Sequence, residues 1–325
     1  MANTIKIGIL GCADFAKRLV IPNIIKTNLF EVVAVASRTA QKAVEFAETF
    51  SCEPIVGYEA LLERKEIEAV YLPLPIGLHH EWILKALHAG KHVFCEKSLA
   101  PDLTEVTEIL DLAREKKLCV FENFMFVFHA QFAAVKQLLA EGEIGEIRML
   151  RSSFGCKLPG PDANIRSKKE LGGGALLDMG TYTIMASHFL LGRSQQVIAA
   201  SLENFGQEVD FQGAVMLKNP EGVVSQLAFG FDNFYQNTIE LWGTEGKLVV
   251  ERAFTAGPGY VPRLFIEKNN LKQEITLAPD NHFEKILTKF QDCIKNGPYD
   301  YMADQILTQS RLLSKVRQLA NSNNS

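Results

Sequence analysis

Ile5-Lys6-Ile7-Gly8-Ile9-Leu10-Gly11-Cys12-Ala13-Asp14-Phe15-Ala16 is the stretch whose reading decides the fold. A short β-branched run closes on Gly11, and a helical pattern starts near Asp14. The turn reads G-x-A-x-x-A. A dinucleotide turn needs a tight bend, then close backbone approach to a pyrophosphate, then close helix–strand packing. Gly11 and Ala16 fill the first and third roles, while Ala13 places a methyl where the phosphates come nearest. The anion would rest on the helix N-terminus. Such a turn alone also fits a plain strand-to-helix joint. Its place after the first strand, with a second β-α unit downstream, favours the nucleotide reading.

Working outward, Pro22 is expected to kink or split the first helix. Val32–Ala36 is a second apolar run, and Thr39 reads as the N-cap of a helix over 40–50. That second strand ends in Ser37-Arg38-Thr39 with no acidic residue. A carboxylate there would accept from a ribose 2′-OH, whereas an arginine and two hydroxyls suit a 2′-phosphate, so NADP is expected over NAD. Strands are expected at 69–73, 92–95 and 119–121, with helices at 79–89, stopped by Gly90, and 102–116. Continuous apolar runs are those of strands buried on both faces. Strands alternating with helices imply a doubly wound parallel sheet, an α/β domain over residues 1–123.

After about Phe126 the pattern changes. A helix is expected over 129–141, then alternating strands at 147–154, 196–205, 213–217, 223–231, 237–242 and 247–251. Turns at Asn219–Gly222 and Gly243–Gly246 separate some of them. This reads as an α+β domain over 124–325 with a mainly antiparallel sheet. A helix at 302–319 is expected to pack back on the first domain, and the tail from Asn321 to fray. The phenylalanines from Phe121 to Phe132 read as core and domain interface rather than as a base-stacking platform.

The chain has 325 residues, enough for two domains. It is 47% hydrophobic and 22% charged, a composition that supports sizeable cores. A formal charge of -4 does not suit a chain that blankets nucleic acid or an anionic membrane. The six cysteines form no C-x-x-C pair and no zinc-like cluster, as expected for reduced thiols. Met1-Ala2-Asn3-Thr4 runs into a strand with no leader pattern and there is no long apolar run, so a cytoplasmic location is expected.

One region is more specific. Tyr71-Leu72-Pro73-Leu74-Pro75, His79, Ala86-Leu87-His88-Ala89-Gly90-Lys91-His92-Val93 and Glu96-Lys97 resemble the glucose–fructose oxidoreductase/inositol dehydrogenase (Gfo/Idh/MocA) family. Glu170-Leu171-Gly172-Gly173-Gly174-Ala175-Leu176-Leu177-Asp178-Met179-Gly180-Thr181-Tyr182 and Gly142–Ile147 resemble the same family's substrate-domain motifs. Within it, Cys12–Ala16 and Leu72–Trp82 look most like the nucleotide-diphospho-sugar 3-ketoreductases of deoxysugar synthesis. The dihydrodiol/D-xylose dehydrogenase branch shares much of 172–182. The resemblance implies a Rossmann domain plus an open-faced mixed sheet. It also implies a homodimer or homotetramer through that sheet, and NADP(H) as cofactor. One departure is Ser98, where the family usually has proline after Glu-Lys.

Hydride transfer to a ketone builds negative charge on the carbonyl oxygen, so the site needs a proton donor and a cation or hydrogen bonds. Lys97 lies just past a parallel strand's carboxyl end, where ligands bind in open α/β sheets. The resemblance assigns Tyr182 as the acid, and a phenol near a cationic lysine has its ionised form favoured. Asp178, four residues before, shares its face if the segment is helical. It is expected to accept from a sugar hydroxyl or hold Lys97. Cofactor contacts are expected from Gly11, Cys12, Ala13, Asp14, Phe15, Ser37, Arg38, Leu74, Pro75, His79, Glu96 and Lys97, with capping or packing the other reading of His79. Lys157, Arg166, Lys168 and Lys169 are candidates for a substrate diphosphate, and Lys97, Arg166, Asp178 and Tyr182 for substrate binding. Gly172–Gly174 either admits close backbone approach or is a flexible loop. The expected activity is NADP(H)-dependent reduction of a 3-keto group on a nucleotide-linked deoxysugar. The alternatives are a dehydrogenase of a free sugar, cyclitol or trans-dihydrodiol, and a non-catalytic NADP-binding sensor.

Overall fold

Leucine, isoleucine and valine runs too apolar for a solvent face set the first unit. The structure, a computed structural model, describes residues 4–160 and 164–323. Residues 1–3, read above as lacking a leader, and the last two residues of the tail lie outside that range. The chain forms two compact units, Met1–Asn123 with Phe283–Leu307, and Phe124–His282 with Thr308–Ser325.

In the first unit the strands are β1 (Ile5–Leu10), β2 (Phe30–Ser37), β3 (Glu53–Val56), β4 (Ala69–Leu72), β5 (His92–Cys95) and β6 (Val120–Glu122). Between them lie α1 (Ile21–Lys26), α2 (Ala40–Phe50), α3 (Tyr58–Leu62), α4 (His79–His88) and α5 (Leu103–Lys116). The strands pair in parallel in the order β3-β2-β1-β4-β5-β6. This is the doubly wound order, with its switch point between β1 and β4. Ile7, Ile9 and Leu10 of β1 and all four residues of β4 are fully buried, as their unbroken apolar runs require. β3 and α3 are additions to the sequence reading. β3 is an edge strand, which tolerates Pro54 because the missing donor faces no neighbour.

Two local expectations change. Residues 14–26 stay helical through Pro22, but the turn Ala16–Val20 just before it is widened, with Ile21 N–H reaching back to Ala16. Pro22 thereby falls in the first turn of α1, where the N–H it lacks is one that a helix start leaves unpaired. Thr39 occupies the N-cap of α2 in extended backbone, yet its side chain accepts no capping bond. Asp102 does cap α5, accepting from Thr104 N–H at 2.9 Å and Glu105 N–H at 3.1 Å.

The second unit carries α6 (Ala130–Ala140), β7 (Ile147–Lys157), α7 (Thr181–Leu191), β8 (Gln196–Glu203), β9 (Gln212–Lys218), β10 (Val224–Gly230), β11 (Asp232–Gly243), β12 (Lys247–Glu251), β13 (Arg263–Lys268) and β14 (Leu271–Thr276). Its sheet runs β14-β13-β12-β11-β7-β10-β9-β8. Only β7 and β10 pair in parallel among the described strands, so the sheet is mixed and mainly antiparallel, as expected. Leu150, Val215, Leu217, Leu227, Ile239, Leu241 and Leu248 are buried, alternating with exposed or partly exposed neighbours, the mark of a sheet with one face on the core. α7 is buried from Thr181 to His188 without a break, as befits a helix at the centre of a core.

α8 (His282–Asn296) and α9 (Ala303–Asn323) end the chain. α8, not anticipated from sequence, seals the first unit. Phe290 is fully buried, with its ring centroid 5.8, 5.5 and 5.1 Å from those of Phe30, Phe94 and Phe121. A single cut between 123 and 124 therefore misses the segment Phe283–Leu307, which returns to the first unit because its aromatic face is buried there. From Thr308 onward α9 belongs to the second. α9 stays helical to Asn323, so the fraying expected from Asn321 does not occur within the described residues.

Phe290→Ala is expected to cost about 3–5 kcal/mol through lost burial and the cavity left behind. The check is the urea midpoint at unchanged slope. A loss below about 0.5 kcal/mol, within the range of an ordinary surface change, would refute α8 as the seal of this core.

Candidate active site

The carboxyl edge of the first sheet gathers most of the sequence-derived candidates. Gly11 ends β1 at φ 121°, a conformation that disfavours any Cβ. A Cβ there would also sit 2.8 Å from Leu74. Its N–H donates to Ala36 at 3.0 Å, and Lys17 N–H donates to Ala13 at 3.0 Å, which starts the helical run. Asp14 is exposed and pairs with Arg18 at 2.6 Å. Phe15 lies 6.4 Å from Phe283. Cys12 is half-buried, its Sγ 3.6 Å from the Lys42 carbonyl. Burial pushes its thiol pKa up, against a hydrogen bond with Ser37.

At the end of β2, Ser37 is buried and Arg38 exposed. Arg38 acts on the Tyr58 hydroxyl, opposing the burial that raises its pKa. These residues fit a dinucleotide with a 2′-phosphate. A bent turn and fresh helix N–H groups meet the pyrophosphate, and an exposed guanidinium stands at the neighbouring strand end.

Lys97 follows β5 between residues held by buried side chains. Glu96 accepts from the Tyr71 hydroxyl at 2.6 Å and from Asn123 Nδ2 at 2.9 Å. The Leu99 N–H donates to Glu122 at 2.8 Å. His79 is fully buried, with its ring nitrogens 2.9 Å from the Ser98 carbonyl and 2.8 Å from the Leu74 carbonyl. Burial lowers its pKa. The packing reading of His79 therefore describes its side chain, which ties the Leu74–Pro75 turn to the Lys97–Ser98 segment. The Lys97–Ser98 peptide is cis. Tyr71, Glu122 and Asn123 were not among the sequence candidates. The available signal was a polar pair closing a strand otherwise buried.

The second unit holds the other candidates. Arg166 Nε donates to Asp178 at 2.7 Å. The Arg166 pKa is raised chiefly by Asp178 and also by Tyr182 and Cys156, which places all four in one another's field. Asp178 and Tyr182 lie on one helical run, the widened turn Leu176–Gly180 followed by α7. Within this unit Asp178 pairs with Arg166, a partner that neither of its two expected roles named. Tyr182 is buried, with its ring 5.7, 5.5, 5.1 and 5.6 Å from Phe124, Phe126, Phe154 and Phe254. Phe126 and Phe132 are core residues beside it.

The glycine run is not a flexible loop. Gly173 and Gly174 N–H donate to the Lys168 and Arg166 carbonyls at 2.9 Å each. Any Cβ on Gly173 would strike the Arg166 backbone, and Gly174 sits at φ 117° against Asp210. Asp210, absent from the sequence reading, receives the Leu176 N–H at 2.6 Å. Lys157 and Lys169 are exposed, and Lys168 lies 4.0 Å from Glu208. Arg166 alone of these four cations is brought to Tyr182.

Residues 5–124 match the oxidoreductase family model for an NAD-binding Rossmann fold, and residues 132–249 match the GFO/IDH/MocA C-terminal domain. The chain is 44% identical over 298 residues to a dTDP-3,4-didehydro-2,6-dideoxy-alpha-D-glucose 3-reductase of Saccharopolyspora spinosa, covering 91% of this chain and 90% of that one. It is 40% identical to the Actinomadura kijaniata enzyme of the same name, covering 97% and 96%. A solved 3-ketoreductase from Actinomadura kijaniata, in complex with NADP and TDP-benzene, superposes with a TM-score of 0.94 at 39% identity over 98% of both chains.

Tyr182 shares α7 with His188, whose Nε2 faces Gln309 Oε1 at 2.9 Å, while Gln309 Nε2 donates to Thr181 at 2.8 Å. Burial lowers the His188 pKa to about 4. Below its usual 6.5 the unfolded chain takes a proton that the folded chain refuses. Stability is therefore expected to fall as pH drops from 6.5 to 4, by up to about 1.4 kcal/mol per unit from this group. His188→Gln should make that limb shallower in urea titrations at several pH values, with His79 and His92, whose pKa values burial also lowers, keeping the remainder. An unchanged limb would exclude His188 as its source.

Proposed function

The chain belongs to the Gfo/Idh/MocA oxidoreductase family, and within it we propose an NADP(H)-dependent 3-ketoreductase acting on a dTDP-linked 3-keto deoxysugar. The observation that carries this is the 44% match over 91% of the chain to an enzyme named for that reaction. The local chemistry agrees with it. Arg38 and Ser37 stand where a 2′-phosphate is recognised, and Gly11 to Phe15 form the turn for the pyrophosphate. Glu96, Leu74, Pro75 and His79 shape the edge through backbone placement.

The bound nicotinamide supplies the hydride. Lys97 offers an ammonium to the carbonyl oxygen as negative charge grows there, and Tyr182 delivers the proton that makes it a hydroxyl. Asp178 and Arg166 hold each other and orient the phenol and the sugar. Arg166, with its fork of donors, is also the best-placed cation for a diphosphate oxygen. Lys157, Lys168 and Lys169 are secondary candidates for that charge.

We assign the sheet of the second unit as the face through which copies assemble, as a homodimer or homotetramer, and the cytoplasm as the location. Among the described residues no helix is long and apolar enough to cross a membrane.

Fluorescence titration should show NADPH binding at least about tenfold tighter than NADH, about 1.4 kcal/mol, with the preference lost in Arg38→Ala. Equal binding in the wild type would retract the 2′-phosphate site. Lys97→Ala and Tyr182→Phe should each lower kcat by about a hundredfold or more on a dTDP-linked 3-keto sugar. Turnover of free D-xylose but of no nucleotide-linked sugar would overturn the substrate class.

A further inference from the structure

The buried polar cluster behind Lys97 holds two carboxyls, and they are not equivalent. Glu96 is half-buried and has two donors on one oxygen, the Tyr71 hydroxyl and Asn123 Nδ2. Glu122 is 2% exposed. One of its oxygens receives the Leu99 N–H, and the other, Oε2, is buried with no hydrogen-bond partner.

We propose that Glu122 is a positioning residue for Lys97, a neutral buried acid that anchors the 97–99 turn and does not itself compete for the Lys97 ammonium. The proposal rests on the role of Lys97 given above. Burying a carboxylate without partners is far more costly than burying a neutral acid. Burial raises the pKa of both acids, but Glu96 has two donors that oppose the rise and Glu122 has a bare oxygen. The groups that face this cluster are Lys97 and Glu96 beyond β5, Cys95 on β5, Tyr71 on β4 and His79 on α4. Of these, Lys97 is the cation that favours ionised Glu122. Burial outweighs it and raises the Glu122 pKa to about 8. Once ionised, Glu122 would compete with the substrate oxygen for that ammonium, so activity should decline on the alkaline side.

The test compares wild type with Glu122→Gln and Glu122→Leu. Gln keeps the acceptor for Leu99 and cannot ionise, whereas Leu removes the anchor. An infrared difference spectrum should show a protonated-carboxyl band in the wild type at pH 7 that Glu122→Gln lacks and that disappears as pH rises through about 8. Glu122→Gln should keep kcat within about threefold and lose the alkaline decline of kcat/KM, while Glu122→Leu should lose about tenfold or more in kcat with NADPH Kd unchanged. No such band, wild-type kcat in Glu122→Leu, or equal damage in both variants would overturn the proposal. If the wild type reduces no keto-sugar, the functional reading falls instead. The infrared band and the acetylation rate of Lys97, read by peptide mass, then decide this inference alone. That rate should be preserved in Glu122→Gln and altered in Glu122→Leu, and equal rates in all three proteins would refute the positioning role.

Discussion

A parallel sheet buried on both faces leaves its chain ends in apolar ground, and each peptide group that emerges there must find a partner inside the protein. The carboxyl end of β5 shows how the first unit meets that constraint. The Glu96 N–H reaches Leu72 at 3.2 Å, and the Asn123 N–H reaches Cys95 at 2.8 Å. Beyond them, backbone partners run out and side chains take over, with Glu122 on the Leu99 N–H and His79 at the Ser98 carbonyl. The solution to a burial problem thus brackets Lys97 with residues that cannot drift. Lys97 sits on a segment held by the core's own side chains.

The second unit solves a similar problem at the start of α7. A helical run that begins inside a core exposes its first N–H groups to nothing. Asp210 meets the Leu176 N–H, its carbonyl meets the Ala175 N–H at 2.8 Å, and the glycines before them fold tightly onto Arg166 and Lys168. That packing delivers Arg166 to Asp178 and both to the neighbourhood of Tyr182. Four aromatic rings then hold the phenol ring, while Gln309 and His188 tie the helix behind it. Packing of this kind holds the phenol ring in one orientation, which the proton-donor role proposed for Tyr182 requires.

Much of this was legible in the sequence. Strands buried on both faces have no polar alternative, so runs such as Ala69–Leu72 announce themselves, and so does the bent turn at Gly11. β13 also went unread although Leu264, Phe265 and Ile266 are buried; the other unread elements have a physical reason. β3 and β14 are edge strands, and exposed positions on an edge need not be apolar. α3 is a single short turn of helix. α8 has a helical pattern, but its period says only that one face is buried, not which core buries it. That is why the return of Phe283–Leu307 to the first unit escaped a reading along the chain.

Periodicity, turn chemistry and residue type by themselves determined the doubly wound sheet, the mainly antiparallel second sheet, the nucleotide turn and Arg38, while Lys97, Asp178 and Tyr182 became candidates through the family resemblance of the motifs that hold them. These are local properties, set within a few residues of where they are read. Tertiary structure alone decided that Arg166 pairs with Asp178, that Asp210 receives the Leu176 N–H, and that Tyr71, His79, Glu122 and Asn123 hold the segment around Lys97. Each of those contacts joins positions far apart in sequence, and a polar side chain's role depends on which distant partner the packing leaves within hydrogen-bond reach.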